Sequence, residues 1–180
     1  DDLIVFSWSR ARLKEFRAYM LERFDIPACE NPRLMTFCTR GKMSTNSNAR
    51  VLLQNEQVIS AFRDGGFEIV DLADMSLREQ FAYISNNKVL AGVHGAALSH
   101  QLFLGKNGAV IEILGPKHVN NIYYHTAHGL GLSYFPVFDA RLDVEAAFSD
   151  QFRDSEIDID ISALVCQLDW ISKNFGSSQF

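Results

Sequence analysis

The sequence has little that would direct the chain to nucleic acid or into a membrane. Its 180 residues include 17 Lys and Arg against 22 Asp and Glu, a formal net charge of −5, which gives no overall attraction to polyanions. No apolar run is long enough to span a bilayer. The first residues, DDLIVFSWSR, lack the basic and then apolar pattern of a signal peptide. The composition, 47% hydrophobic and 22% charged, is that of a globular domain with a sizeable core.

The cysteines form no recognisable motif. Cys29, Cys38 and Cys166 are odd in number and widely spaced, and no CxxC pair occurs, so neither a disulfide framework nor a zinc site is indicated. The sequence also lacks an Asn-x-Ser/Thr glycosylation signal. We therefore expect the cytoplasm or the cytoplasmic face of a membrane, with the lumen of the secretory pathway as the alternative.

Strand and helix patterns alternate along the chain. The apolar spacing predicts helices over 10–24, 51–64, 76–85, 96–104, 121–131 and 161–175, and strands over 33–39, 67–72, 88–93, 109–114 and 133–138. The strands are mostly continuous apolar runs, which are typical of strands buried on both faces of a parallel sheet. We predict an α/β fold, a Rossmann-like three-layer sandwich with a mainly parallel sheet.

The segment GVHGAALSHQLF, residues 92–103, follows one of these strands. In open α/β sheets, ligands bind beyond the carboxyl ends of the strands. The small residues Gly95, Ala96 and Ala97 would let a ligand approach the backbone, and the first N–H groups of a helix favour an anion such as pyrophosphate. Close helix–strand packing is the alternative, because the full GxGxxG pattern is absent. His94 is either a donor to a phosphate or sugar oxygen, or a structural cap of the turn.

Further polar residues are expected at the same edge of the sheet. Arg40 directly follows the first strand, and Arg50 ends a polar loop just before Asn55 and Glu56. Arginine binds phosphate oxygens in a bidentate way. Glu112 interrupts the apolar run AVIEIL, and a buried carboxylate needs a partner. An arginine of the polar loop, a substrate hydroxyl and a structural ion pair are the candidates.

Two features with metal-binding residue types have simpler explanations. Asp158 and Asp160 form an Asp-x-Asp in an alternating acidic stretch before a helix, where a solvated face and an N-cap account for them. His125 and His128 are three residues apart, which could place them on one helix face, but no carboxylate is near them in sequence. We predict no metal site.

Two stretches of the sequence resemble the donor-binding half of glycosyltransferase family 61. They are TRGKMSTNSNARVLLQNEQVISAFRDGGFEIVDLADMSLREQ and VLAGVHGAALSHQLFLGKNGAVIEILGP. The resemblance covers roughly residues 33–138 and rests on an ordered set of positions: Arg40, Arg50, Asn55, Glu56, Gly66, Phe67, Ser76, Glu79, Gln80, His94, Gly95, Ala96 and Glu112. The family usually continues with Leu-Thr-Asn, and here the residues are Leu98-Ser99-His100. Ser99 keeps a hydroxyl, whereas His100 is a departure that we connect with the choice of donor sugar.

The resemblance implies an inverting hexosyl- or pentosyltransferase of polysaccharide biosynthesis or glycosylation, with a GT-B architecture and a UDP-sugar donor. It implies catalytic roles for His94 and Arg40 and no required cofactor. It also implies a substrate-binding set: Arg50, Asn55, Glu56, Ser76, Gln80, Gly95, Ala96, Ala97, Ser99 and Glu112. The start of the helix at Ser76 would frame the base.

A GT-B enzyme has a second domain, which this chain is too short to contain. We expect residues 1–32 to be a helix and linker from a preceding region, and residues 33–180 to be the donor-binding domain of a longer enzyme. The expected partners are the donor, a glycan or protein acceptor and an N-terminal acceptor domain, and not nucleic acid.

Three other functions remain open from the sequence. The first is a nucleotide- or polysaccharide-binding module without turnover. The second is a hydrolase of a phosphorylated small molecule with His94 as acid or nucleophile, for which no carboxylate is near His94 in sequence. The third is a scaffold in which the edge of the sheet binds nothing.

Overall fold

The structure, a computed structural model, describes residues 9–27, 29–39, 51–116, 120–142 and 156–176. The strands are β1 (Leu34–Cys38), β2 (Val51–Leu52), β3 (Glu68–Val70), β4 (Asn87–Val93), β5 (Ala109–Leu114), β6 (Ser133–Phe138) and β7 (Glu156–Ile157). The α-helices are α1 (Arg10–Arg23), α2 (Asn55–Asp64), α3 (Leu77–Ser85), α4 (Ile122–Leu130) and α5 (Ile161–Phe175), with 3-10 helices at Leu72–Asp74 and Ala96–Phe103.

Five strands form the central sheet, in the order β3-β1-β4-β5-β6, and every neighbouring pair is parallel. Helices α2 and α5 cover one face with an apolar cluster that includes Phe62 and Leu168. Helices α1, α3 and α4 and the 96–103 helix cover the other face, with Leu13, Ile84 and Leu98 in the second cluster. The predicted three-layer α/β sandwich with a parallel sheet is therefore confirmed.

The strand order reverses between β1 and β4. From β1 the chain passes through α2 on one face to the outer strand β3, and it then returns through α3 on the other face to β4. At such a switch point the two connections leave in opposite directions, and a crevice forms beyond the carboxyl ends of the strands. The strand order therefore predicts a crevice between Thr39, just after β1, and His94, just after β4.

Side-chain caps define where two of the helices begin. Ser76 accepts from the Glu79 amide, and the Glu79 carboxylate accepts from the Ser76 amide at 2.7 Å, so the predicted capping box is confirmed. These bonds hold the pKa of Glu79 below its usual value. Asp160 caps α5 by accepting from the amides of Ser162 at 2.9 Å and Ala163 at 3.0 Å. The N-cap explanation for the second carboxylate of the Asp-x-Asp is therefore confirmed.

The prediction of one helix over 51–64 is wrong at its start. Val51 and Leu52 form β2, which pairs in parallel with β7 in a separate two-stranded sheet, and α2 begins only at Asn55. The local apolar pattern fits a helix, but the backbone groups of these residues pair with a segment about a hundred residues later. Residues 96–103 form a 3-10 helix, a tighter relative of the predicted helical segment.

Helix α1 packs on the second face of the sheet. Leu13 is buried in the second cluster, and Met20 and Phe24 pack against it. Phe16, which the spacing places on the same apolar face, is 47% exposed. The division of the chain at residue 32 stays a prediction.

Candidate functional site

A histidine, a glutamate and a tyrosine meet at the carboxyl edge of the sheet, beside the switch point. The His94 Nδ1 atom is hydrogen-bonded to Glu112 Oε1. The Tyr134 hydroxyl donates to the other carboxylate oxygen, Oε2, at 2.5 Å. Glu112 is fully buried and His94 is 7% exposed. Both oxygens of the buried carboxylate are thus satisfied, by residues 18 and 22 positions away in sequence.

The parallel register of three strands brings these groups together. Gly92 of β4 lies beside Glu112 of β5, and Val110 lies beside Tyr134 of β6. Residues two apart on a strand point to the same face, so His94, Glu112 and Tyr134 all lie on the face covered by α4 and the 96–103 helix. Since Gly92 has no side chain, the position next to Glu112 on β4 presents only backbone.

The hydrogen bonds define the chemistry of the group. Burial raises the pKa of Tyr134, and the neighbouring Glu112 charge and hydrogen bond raise it further, so the phenol keeps its proton and acts as a donor. A carboxylate that accepts from Nδ1–H selects the imidazole tautomer in which the lone pair is on Nε2. Glu112 therefore orients the His94 ring and directs Nε2 away from the carboxylate.

The turn after His94 is fixed through its carbonyl group. The Gly95 carbonyl oxygen accepts from the Leu98 amide at 3.0 Å and from the Tyr123 hydroxyl at 2.7 Å. The Tyr123 ring lies 5.1 Å from the His94 ring between centroids. Leu98 is the first amide that bonds within the turn, so the amides of Ala96 and Ala97 precede the helical bonding. Such amides are what an anion binds at the start of a helix.

Gln80 and His100 lie behind this turn. Gln80 Nε2 donates to the carbonyls of Leu72 at 2.9 Å and Met75 at 3.0 Å, and its Oε1 atom faces His100 Nε2 at 2.8 Å. The other ring nitrogen of His100 faces the Ala97 carbonyl at 3.0 Å. Gln80 and His100, both partly buried, therefore link α3 to the turn.

The other predicted binding residues lie at the starts of helices or outside the described part of the chain. Ser99 is exposed on the 96–103 helix, and Asn55 and Glu56 are exposed on the first turn of α2. Arg40 and Arg50 lie outside the described residues, so their contribution stays a prediction. The roles of all these residues in binding stay predictions too.

A carboxylate cluster occupies the far end of the same edge. Asp139, just after β6, is 3% exposed and accepts from the Arg141 side chain and from the Asp158 amide at 2.6 Å. Asp158 in turn accepts from Gln54. These contacts attach β7 and the start of α2 to the end of β6, which assigns Asp158 to the framework of the edge.

His125 and His128 belong to a different part of the surface. They line an open cleft of about 580 Å³ together with Arg10 and Ser133. Ser133 is the first residue of β6, so the cleft lies at the amino edge of the sheet, away from His94. Within the described ranges, no three His, Cys, Asp or Glu side chains are grouped so that they could hold a metal ion. No helix in that part of the chain is long and apolar enough to cross a membrane.

Sequence reasoning did not identify Tyr123 and Tyr134 as site residues. Both lie in predicted elements, a helix and a strand, where aromatic side chains commonly belong to the hydrophobic core. The only signal in the sequence was Glu112 itself, because a carboxylate inside an apolar strand requires donors nearby. The sequence does not show from which strands these donors come.

Comparison with known proteins supports the resemblance. The sequence profile of the family described as Glycosyltransferase 61 matches residues 3–111, which is more than half of the chain. The matched range contains His94 and the 95–97 turn, and it ends one residue before Glu112. No curated protein matches the sequence. On the family match, this chain belongs to glycosyltransferase family 61.

Proposed function

We propose that this chain is the donor-binding half of an inverting glycosyltransferase, and that it binds a UDP-sugar in the crevice between β1 and β4. The observation that carries the proposal is the buried His94–Glu112–Tyr134 group at the switch point of the sheet. Family membership supports sugar transfer in general. The uridine nucleotide, the inversion and the need for a second domain come from the family resemblance.

The diphosphate is assigned to the turn at residues 95–97. The amides of Ala96 and Ala97 and the start of the 96–103 helix offer hydrogen bonds to its oxygens. During transfer the bond from the anomeric carbon to the diphosphate oxygen breaks, and the electron pair stays on the diphosphate. Donors that are already oriented toward this growing charge lower the barrier, by roughly 3–4 kcal/mol for one such group.

We assign His94 to the departing diphosphate. It immediately precedes the 95–97 turn, and Glu112 holds Nδ1 on the side away from solvent. An imidazole held in this way can donate from Nε2 once it is protonated, because the adjacent carboxylate balances the positive charge. The base that takes the proton of the acceptor hydroxyl would come from the acceptor domain or from the start of α3.

A hydrolase is the second candidate, and one contact favours it. The sequence shows no carboxylate near His94, but the structure supplies Glu112 as its partner. Both functions would use the same dyad and differ in the acceptor, which is water for a hydrolase and a sugar or protein hydroxyl for a transferase. We favour the transferase because the chain belongs to a glycosyltransferase family.

The first test is ligand-dependent thermal unfolding of the chain with UDP, GDP, CMP, UDP-N-acetylglucosamine and UDP-xylose, with and without Mn²⁺. A ligand present at a hundred times its dissociation constant adds roughly 2.7 kcal/mol of stability. We expect uridine nucleotides alone to raise Tm, with or without Mn²⁺. The increase should disappear in Arg40→Ala, weaken in His94→Gln, and remain in His128→Gln, where a histidine of the distant cleft is changed. No shift with any nucleotide, or an equal shift in all variants, would refute the proposed site.

Binding is separated from turnover by following the donor itself. UDP-N-acetylglucosamine and UDP-xylose are incubated with the chain, and free sugar, UDP and glycosylated products are measured. Release of free sugar at a rate that added acceptors do not change would identify a hydrolase. An acceptor-dependent rate would identify a transferase, and binding without release would leave the chain as a binding module.

A further inference from the structure

The ring of His100 lies between two hydrogen-bond acceptors. Its Nδ1 atom is 3.0 Å from the Ala97 carbonyl oxygen, and its Nε2 atom is 2.8 Å from Gln80 Oε1. A carbonyl oxygen can only accept, so Ala97 requires an N–H at Nδ1. The role of Nε2 then depends on which end of the Gln80 amide faces it.

The orientation of that amide is determined by its own contacts. The other end of the Gln80 side chain lies within hydrogen-bond distance of two carbonyl oxygens, those of Leu72 and Met75. Only the NH2 group can donate to both, so the oxygen is the end that faces His100. Both nitrogens of His100 therefore face acceptors.

A neutral imidazole cannot satisfy both acceptors, because it carries a single N–H. Only the imidazolium donates from both nitrogens. Burial opposes this form and lowers the pKa of His100, and the bond to Ala97 acts in the opposite direction. The neighbours in the structure are Gln80 and the ring of Phe81 from α3, at 5.8 Å between centroids, and Ala97 of its own helix. No charged side chain of the described residues is among the causes that act on this pKa.

We propose that His100 takes up a proton when a diphosphate binds at the 95–97 turn, and that the resulting imidazolium holds the turn in place through Ala97 and Gln80. The inference rests on the proposed function, since it requires the diphosphate to bind at this turn. The bound anion supplies a negative charge next to the turn that this ring contacts, where the described residues contribute no charged group to its pKa. His100 acts as a positioning residue, because its ring nitrogens contact the turn and α3.

Proton uptake makes donor binding dependent on pH. The donor affinity rises as pH falls through the range below the ordinary His pKa of 6.5, by up to about tenfold for each unit by which the ligand raises the pKa of His100. In the absence of ligand, a fall in pH has an unfavourable effect, and it acts on the stability of the folded chain. Because the folded chain binds this proton less readily than the unfolded chain, His100 reduces stability as pH falls below 6.5.

Calorimetric titration with UDP-N-acetylglucosamine tests the proposal, because its doubly esterified diphosphate keeps its charge over the range studied. Binding enthalpies in two buffers with different ionisation enthalpies give the number of protons taken up. We expect uptake near pH 6.5 in the wild-type chain and reduced uptake and a flatter pH dependence in His100→Asn. The control His128→Asn, in the distant cleft, should behave as the wild type does. Subtracting the proton uptake of His100→Asn from that of the wild type removes any contribution from His94.

A second measurement does not depend on the variant folding. Proton NMR follows the C2–H signals of the five histidines in the wild-type chain, with and without UDP-N-acetylglucosamine. An increase in the pKa of His100 on binding supports the proposal. Ligand binding with an unchanged His100 titration, or with equal proton uptake in wild type and His100→Asn, overturns it. If the ligand does not bind at any pH, the proposed donor site itself is refuted. This outcome is distinct from binding without a change at His100, which refutes only the His100 proposal.

Discussion

Replacement of Tyr134 by Phe tests whether the buried carboxylate depends on its tyrosine donor. The substitution keeps the ring and removes only the hydroxyl that donates to Glu112 Oε2 at 2.5 Å. Glu112 is 0% exposed, so water cannot replace the lost donor without a change in packing. The other carboxylate oxygen stays bonded to His94.

The expected loss follows from the type of bond. A hydrogen bond to a charged group contributes about 1.5–3 kcal/mol, and a buried acceptor left without a donor costs a similar amount. We expect Tyr134→Phe to lower the free energy of unfolding by about 2 kcal/mol. At a urea dependence of about 2 kcal/mol per molar, this corresponds to a decrease of about 1 M in the unfolding midpoint.

Urea unfolding followed by circular dichroism measures this change, and Tyr124→Phe is the matched control. Tyr124 lies in the first turn of α4, is 47% exposed, and contacts the Tyr134 ring edge to face at 5.5 Å between centroids. Tyr124→Phe should change the free energy of unfolding by less than about 0.5 kcal/mol. Equal effects of the two substitutions would refute the view that Glu112 needs the Tyr134 donor.

Three further predictions concern the framework of the fold. Gly131→Ala should reduce the free energy of unfolding by about 1–2 kcal/mol in thermal unfolding, because Gly131 ends α4 with a φ of 77°. Gly131→Asn should reduce it by less, since Asn adopts this conformation more readily than Ala. Ser76→Ala should cost about 1 kcal/mol in urea unfolding and raise the pKa of Glu79 toward its usual value in an NMR titration, because the Ser76 bonds lower it. Burial and the nearby Asp71 charge raise the pKa of Cys38 to about 12. At pH 8 a thiol reagent should therefore label the exposed Cys166 at once and Cys38 only on unfolding, which mass spectrometry would measure. Rapid labelling of Cys38 in the native chain would contradict its burial.

The position of His94 shows how a parallel sheet can bring together a candidate site from residues that are distant in sequence. The strand order places the end of β4 at the switch point, and the register places Glu112 and Tyr134 on the next two strands, on the same face. A shift of one residue in the register of β5 would turn Glu112 to the opposite face. The site thus depends on the same apolar pattern that buries the sheet.

The amino-acid sequence by itself determined most of the alternation of strands and helices and the place of the candidate residue His94 directly after a strand. Continuous apolar runs predict buried parallel strands, and Ser76 with Glu79 predicts the start of α3, because such a capping box is a contact between residues three apart. His94 directly follows a strand, so its place at the edge also follows from local sequence. Short-range physics is sufficient for each of these features.

Only the tertiary structure decided which side chains meet. Among the described residues, the partners of Glu112 are His94, just after β4, and Tyr134 of β6, at separations of 18 and 22 residues. Val51 and Leu52 form a strand because β7 is available to pair with them, which no local pattern shows. The orientation of Gln80, and with it the environment of His100, depends on two carbonyl groups of the preceding connection. In each case the deciding contact joins groups whose distance is set by sheet order, register and helix packing, and these become defined only when the whole core forms.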